Sequence, residues 1–199
     1  MVLKRLIVFT ALLMLPAQGF AQNGGRWQVM AVGGVFSPAE DEIQNIYGDG
    51  VAGEFALALP LGASGRLKLG LDRFQRDGDP FYKADDFNAG NAADLSLTGI
   101  SLALQSHALT RSFPRLYFGA GIDYVFGREE IAGQKASTGG AIGAHVAVMP
   151  EIRLNSRLSL LAEARYRFLE MTFKNGRDRY RFDLSGASLL LGLGYRFGQ

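Results

Sequence analysis

From residue 26 to the end of the chain, apolar residues alternate with small or polar ones at a period of two. Successive side chains of a strand point to opposite faces, so this spacing predicts strands with one greasy face each. Eight segments show it. Arg26 to Phe36 carries Trp27, Val29, Ala31 and Val35 on one face, and Gly50 to Leu59 carries Val51, Phe55, Leu57 and Leu59 with Glu54 opposite. Arg66 to Gln75 sets Leu67, Leu69 and Leu71 against Lys68, Gly70 and Asp72. Leu116 to Gly127 sets Leu116, Phe118, Ala120, Ile122, Tyr124 and Phe126 against Tyr117, Gly119, Gly121 and Asp123. Gly139 to Met149 alternates Ile142, Ala144, Val146 and Val148 with Ala141, Gly143, His145 and Ala147, and its turn falls near Asn155-Ser156. Arg157 to Phe168 sets Leu158, Leu160, Ala162, Ala164, Tyr166 and Phe168 against Ser159, Leu161, Glu163, Arg165 and Arg167. Ser188 to Phe197 sets Leu189, Leu191, Leu193, Tyr195 and Phe197 against Ser188, Gly192, Gly194 and Arg196. The remaining segment, Asp94 to Gln105, changes phase: Leu95 and Leu97 lie on one parity, Ile100, Leu102 and Leu104 on the other. A bulge near Gly99 would reconcile them, since one inserted residue flips the alternation.

The connections alternate in length. Long ones cover 37–49, 76–93, 128–138 and the region around 170–183, and short ones 60–65, 106–114 and 150–156. Within the last long stretch, Lys174-Asn175-Gly176-Arg177 reads as a hairpin turn, because Asn-Gly suits type I′ geometry. Extending the strand phases through it places Leu169, Met171, Phe173, Tyr180, Phe182 and Leu184 on the inward parity and Glu170, Thr172, Lys174, Arg179, Arg181 and Asp183 on the other. This amphipathic hairpin is expected to project past the strands and lean its apolar side over their end. Phe173, Lys174, Arg177, Arg179, Tyr180 and Arg181 are its candidate surface-binding residues.

The first residues read as an export leader: Lys4 and Arg5, an apolar run from Leu6 to Leu15, then Gly19-Phe20-Ala21 as a small-residue cleavage site. Residues 1–21 are therefore expected to be removed, leaving one domain over 22–199. The apolar run is shorter than the roughly 20 residues a spanning helix needs. The leader holds two of the 21 basic residues and none of the 19 acidic ones, so the remaining chain is formally neutral. That balance excludes a basic nucleic-acid-binding domain. With no cysteine there is no disulfide framework, thiol nucleophile or thiolate metal site.

Eight two-faced strands with alternating loops predict an all-β fold, an eight-stranded antiparallel up-and-down transmembrane β-barrel. Closure leaves no unpaired edge, the condition for crossing a bilayer with strands. Phe118-Gly119-Ala120-Gly121-Ile122-Asp123-Tyr124 and Leu191-Gly192-Leu193-Gly194-Tyr195-Arg196-Phe197 resemble the glycine-aromatic strands of small eight-stranded outer-membrane barrels of the OmpX, OmpW and OmpA-barrel kind. The resemblance covers essentially all of the chain after the leader, and its motifs are specific to the architecture rather than to one member. It implies residence in a Gram-negative outer membrane, contact with membrane lipid and lipopolysaccharide, and handling by the barrel-assembly machinery. Members commonly end in an aromatic residue, whereas here Gly198 and Gln199 follow Phe197.

With the greasy faces toward lipid, the opposite faces collect Glu54, Lys68, Asp72, Asp123, His145, Glu163, Arg165, Arg167 and Arg196. An eight-stranded barrel is just wide enough for side chains to fill it, so these charges are expected to pair across the lumen as a structural plug. A basic collar of Arg73, Arg76, Arg128, Lys174, Arg177, Arg179 and Arg181 near the long-loop end suits lipopolysaccharide phosphates.

Catalytic chemistry finds little support. A lipid A deacylase needs His and Ser on one face with an acid behind the imidazole. Ser106 and His107 are adjacent and so point oppositely, and the residues two positions from His145 are Gly143 and Ala147. Two histidines without a third ligand make no zinc site. No cofactor, metal or catalytic residue is expected. The sequence reading is a monomeric, non-enzymatic outer-membrane barrel with a structural or adhesion-like surface role. A small-solute channel or apolar-solute transporter is the alternative, a lipid A-modifying enzyme ranks below it, and a soluble lipocalin-like barrel is the weaker fold alternative.

Overall fold

A computed structural model describes residues 26–78, 93–107, 114–131, 135–175 and 178–197. The expected leader, Gly176 and Arg177 with their turn geometry, and the terminal Gly198-Gln199 lie outside the described residues. Strands β1 (Trp27–Pro38), β2 (Gly50–Leu61), β3 (Gly65–Gly78), β4 (Ala93–His107), β5 (Arg115–Ile131), β6 (Ser137–Arg153) and β7 (Leu158–Phe168) follow one another as antiparallel neighbours. After β7 come β8 (Glu170–Asn175), β9 (Asp178–Asp183) and β10 (Gly186–Phe197), and β10 pairs with both β7 and β1. The β1–β10 register runs unbroken from Trp27↔Phe197 to Pro38↔Gly186, and closes an eight-stranded barrel.

β8 and β9 form a hairpin that prolongs β7 and β10 beyond the barrel wall. The step between wall and hairpin is pinned by the Leu184 amide, which donates to the Leu169 carbonyl (2.7 Å), and by the Leu169 amide, which donates to Ser185 Oγ (3.0 Å). The hairpin pairs Asn175 with Asp178.

The outward faces are apolar and exposed, as the alternation predicts. Val51, Phe55, Ile122, Ile142, Leu189 and Leu191 are each more than half exposed. In water such a continuous belt would be a liability; it is the lipid-facing surface of a spanning barrel. Exposed aromatics stand at both ends of it: Trp27, Tyr195 and Phe197 near the termini, Tyr124, Phe126 and Phe168 toward the long loops. Tyr124–Phe126 and Tyr195–Phe197 meet edge to face at 4.6 and 4.8 Å, the girdle arrangement of membrane-interface rings.

One local expectation is corrected, and the structure adds detail at two other places. β4 pairs with β3 and β5 in continuous register through Gly99, without a bulge. Leu95 and Leu97 point inward, fully buried, while Ile100, Leu102 and Leu104 point to lipid. The parity switch marks where the strand leaves the membrane belt and its inward side meets an apolar cap. β6 continues past Pro150 to Arg153, and its turn follows, with Asn155 Oδ1 accepting from the amides of Arg157 and Leu158 (2.8 and 2.7 Å). The 37–49 connection contains a short helix, α1 (Asp41–Tyr47), which buries Ile43 and Tyr47. Glu40 at its N-cap makes no side-chain cap bond, so packing of those two residues holds it in place.

Candidate functional site

The interior of the barrel holds three polar layers under an apolar cap. The sequence places all nine candidate lumen residues on inward parities, and all nine are buried. Inward Gly and Ala residues make the space for them. A Cβ on Gly99 would sit 2.4 Å from Asp72 Oδ1, and one on Gly121 2.6 Å from His145 Cε1.

The middle layer is a quartet. Lys68 Nζ lies 2.6 Å from Glu54 Oε1 and 2.6 Å from Glu163 Oε2, and Arg165 pairs with the same two carboxylates, donating from Nε to Glu163 Oε1 at 2.8 Å. β3 and β7 face each other across the barrel, so the Lys68–Glu163 contact spans the lumen. Two acids and two bases close a neutral ring, which offsets the several kcal/mol each isolated ion would cost on leaving water.

The layer toward the long loops is built on Arg167. Its Nη2 donates to Asp72 Oδ1 and Oδ2 at 2.8 and 2.9 Å, and its Nε lies 3.3 Å from Asp123 Oδ2. His145 Nδ1 is 3.0 Å from both oxygens of Asp123. His145 is thus oriented by a carboxylate, as half of a triad would be, and it is buried within the lumen at 3% exposure.

The third layer lies toward the termini and enlarges the set read from sequence. Glu151 accepts from Gln28 Nε2 (2.9 Å) and from Arg196. Arg66 donates to Gln105 Oε1 (2.7 Å) and Gln28 Oε1 (2.9 Å) and lies 3.6 Å over the Tyr117 ring. Arg66 shares the inward parity of Lys68 and Asp72 and was legible on that ground. Glu151 was hidden because Pro150, one residue earlier, interrupts the alternation read for β6.

Above the polar layers, Phe36, Ile43, Tyr47, Phe74, Leu95, Leu97, Val125, Leu169, Met171, Phe173 and Leu184 form one buried apolar cluster. Phe173 stacks on Tyr180 (5.8 Å, 7°). Both rings belong to the cap rather than to an outer surface, so the hairpin presents outward only Lys174, Arg179 and Arg181 of the described candidates. Tyr47 and Tyr180 each donate a hydrogen bond to the Glu129 carboxylate. Burial, then that carboxylate, pushes the Tyr180 phenol up to about 12 and raises Tyr47 further. Beside α1, Asp49 is held below the usual carboxylate range by hydrogen bonds from Ser37 and then Gln44. Between cap and ion layers a cavity of about 20 Å³ remains, lined by Phe36, Phe74, Leu97, Asp72 and Arg167 among others. That is room for one water.

In the basic collar, Arg128 pairs with Glu130, Arg181 with Glu170, Arg76 Nε donates to the Tyr47 carbonyl (3.0 Å) and Arg73 to Gln75 (3.3 Å). Lys174 and Arg179 stand opposite each other across the hairpin, two like charges on its exposed face. Among the described residues no group of three or more His, Cys, Asp or Glu is placed to hold a metal ion.

No family model and no curated protein matches this chain. Among solved structures, the outer membrane protein OprG from Pseudomonas aeruginosa superposes with a TM-score of 0.63 at 12% identity, covering 88% of this chain and 97% of that one. Neisserial surface protein A gives 0.56 at 16% identity over 86% and 97%. The outer membrane protein AlkL gives 0.53 at 14% identity over 89% and 92%. The fold is that of the small eight-stranded outer-membrane barrels. As in the sequence reading, the likeness is one of architecture. At these identities the likeness carries no residue roles across, and the lumen layers described above are this chain's own.

Proposed function

We propose that the protein is a non-conducting, non-enzymatic barrel of a Gram-negative outer membrane, with its long loops outward and a structural or surface-interaction role. The filled lumen carries this reading: ion layers that span the barrel, closed by a buried apolar cap. Solute passage would require breaking the Lys68–Glu163 and Arg167–Asp72 contacts and expelling the cap together. Outside, the like-charged Lys174 and Arg179 face each other with no carboxylate paired to either among the described residues, an arrangement an anionic partner such as lipopolysaccharide phosphate relieves. A monomer inserted by the barrel-assembly machinery completes the proposal. Planar-bilayer recording of the refolded protein is expected to show no steady conductance. Large, ohmic openings of the intact protein would replace this reading with the small-solute channel.

A further inference from the structure

The mouth at the termini end holds a different kind of space. A cavity of about 620 Å³ opens there, lined by Arg26, Arg66, Arg115, Arg153 and Arg196, with His107 and Tyr117 in its wall. Among the described residues, no Asp or Glu lines it. The Arg196 guanidinium is answered by Glu151 beneath the floor. Arg66 is only 5% exposed, yet its hydrogen bonds go to the neutral amides of Gln28 and Gln105 and to the Met149 sulfur. Arg26 donates to the Ser156 carbonyl (3.1 Å). Arg115 and Arg153 have no carboxylate partner within ion-pair distance among the described residues. Among the described residues, five guanidinium groups therefore converge on one cup against one paired carboxylate.

This is unlike the rest of the lumen, where acids and bases alternate. A buried charge is ordinarily paired, because leaving it unpaired costs several kcal/mol. An arginine also offers a planar fork of donors that fits two oxygens of a phosphate. The cup is in the range of about 300–1,000 Å³ over which small-ligand sites are found. We propose that the termini-end cup is a binding site for a compact phosphate-bearing anion, a free phosphate ester or a phospholipid head group. Arg66 and Arg196 form its floor, and Arg115 and Arg153 its adjustable walls. Binding at this end requires no passage through the barrel, so the site stands whether or not the lumen conducts.

The test uses refolded protein in an uncharged maltoside detergent at low ionic strength, titrated calorimetrically with pyrophosphate and, separately, with short-chain phosphatidylglycerol. Arg115→Gln with Arg153→Gln removes two walls without touching the ion layers, and heat-modifiable migration confirms that the variant is folded. Lys135→Gln, an exposed cation at the opposite end and outside the basic collar, is the control. The expected result is a Kd weakened at least about tenfold in the cup variant and unchanged in the control, as loss of charge-assisted hydrogen bonds predicts. Binding of pyrophosphate alone identifies a free anion, and binding of the lipid alone identifies a head group; either supports the site. No binding of either probe overturns it, and so does an equal loss in both variants.

Discussion

At the residue scale, the polar interior works through pairing rather than through individual side chains. Lys68 answers two carboxylates at 2.6 Å each, and Arg165 answers the same two. Lys68→Met leaves Glu54 and Glu163 sharing one cation, a buried imbalance that should cost about 3–5 kcal/mol. Adding Glu54→Leu removes the surplus acid and leaves the neutral Glu163–Arg165 pair. The double variant is therefore expected to be more stable than the single one in urea unfolding from lipid vesicles. Simple addition of the two losses would count against a coupled ring. The alternation made all nine of the lumen residues sought legible, because parity alone assigns a face. Their partners were not, since Lys68 and Glu163 are distant in sequence and meet only when β3 and β7 stand opposite. Arg66 was legible by the same parity, while Glu151 lies past Pro150, beyond the segment read from the alternation.

At the element scale, the β8–β9 hairpin and α1 act as one lid. Phe173 at 0% exposure and Ile43 at 0% come from the hairpin and the helix, and Tyr180 and Tyr47 are joined through Glu129. Both phenols must be neutral to donate. Their pKa values are raised on folding, so their contribution is complete below the ordinary tyrosine value of 10.0 and falls away as pH rises through about 12. In an alkaline spectrophotometric titration, Tyr47 and Tyr180 should ionise late, and protease cleavage in the lid should begin only as they do. If Tyr47→Phe with Tyr180→Phe leaves the onset of cleavage unchanged, the shared carboxylate is not holding the lid. The hairpin's two faces could be read from sequence because its alternation continues the wall's. α1 could not: its seven residues are too few for a helical period to stand out, and its order comes from Ile43 and Tyr47 entering a cluster built by other strands. The Gly99 bulge was the converse error, a change of surroundings mistaken for a change of backbone.

At the scale of the whole molecule, one barrel contains three environments stacked along its axis: an arginine-rich cup, balanced ion layers and an apolar cap. Outside them runs a belt from Trp27 and Phe197 at one end to Phe126 and Phe168 at the other. Two-residue periodicity determines closure and the belt. The stacking depends on which inward residues share a level, which follows from strand register and stagger.

The seam between β1 and β10 also governs time. Trp27 meets Phe197, so the closing contacts join the two ends of the described chain. Every other strand can zip to the neighbour that precedes it, but this pair must wait for the entire sheet to curl, and such a loop is costly to close before its contacts repay it. The seam is then the last part of the wall to form, and once locked it resists opening, because β1 and β10 must separate along their whole length. Refolding followed by heat-modifiable migration should lag behind the gain of strand signal in circular dichroism. Unfolding in urea should occur at a higher concentration than refolding, and coincident curves would mean that the seam sets no barrier. The molecule's persistence in a membrane is, on this view, a matter of rate: it endures because its last contact to form is also its slowest to break.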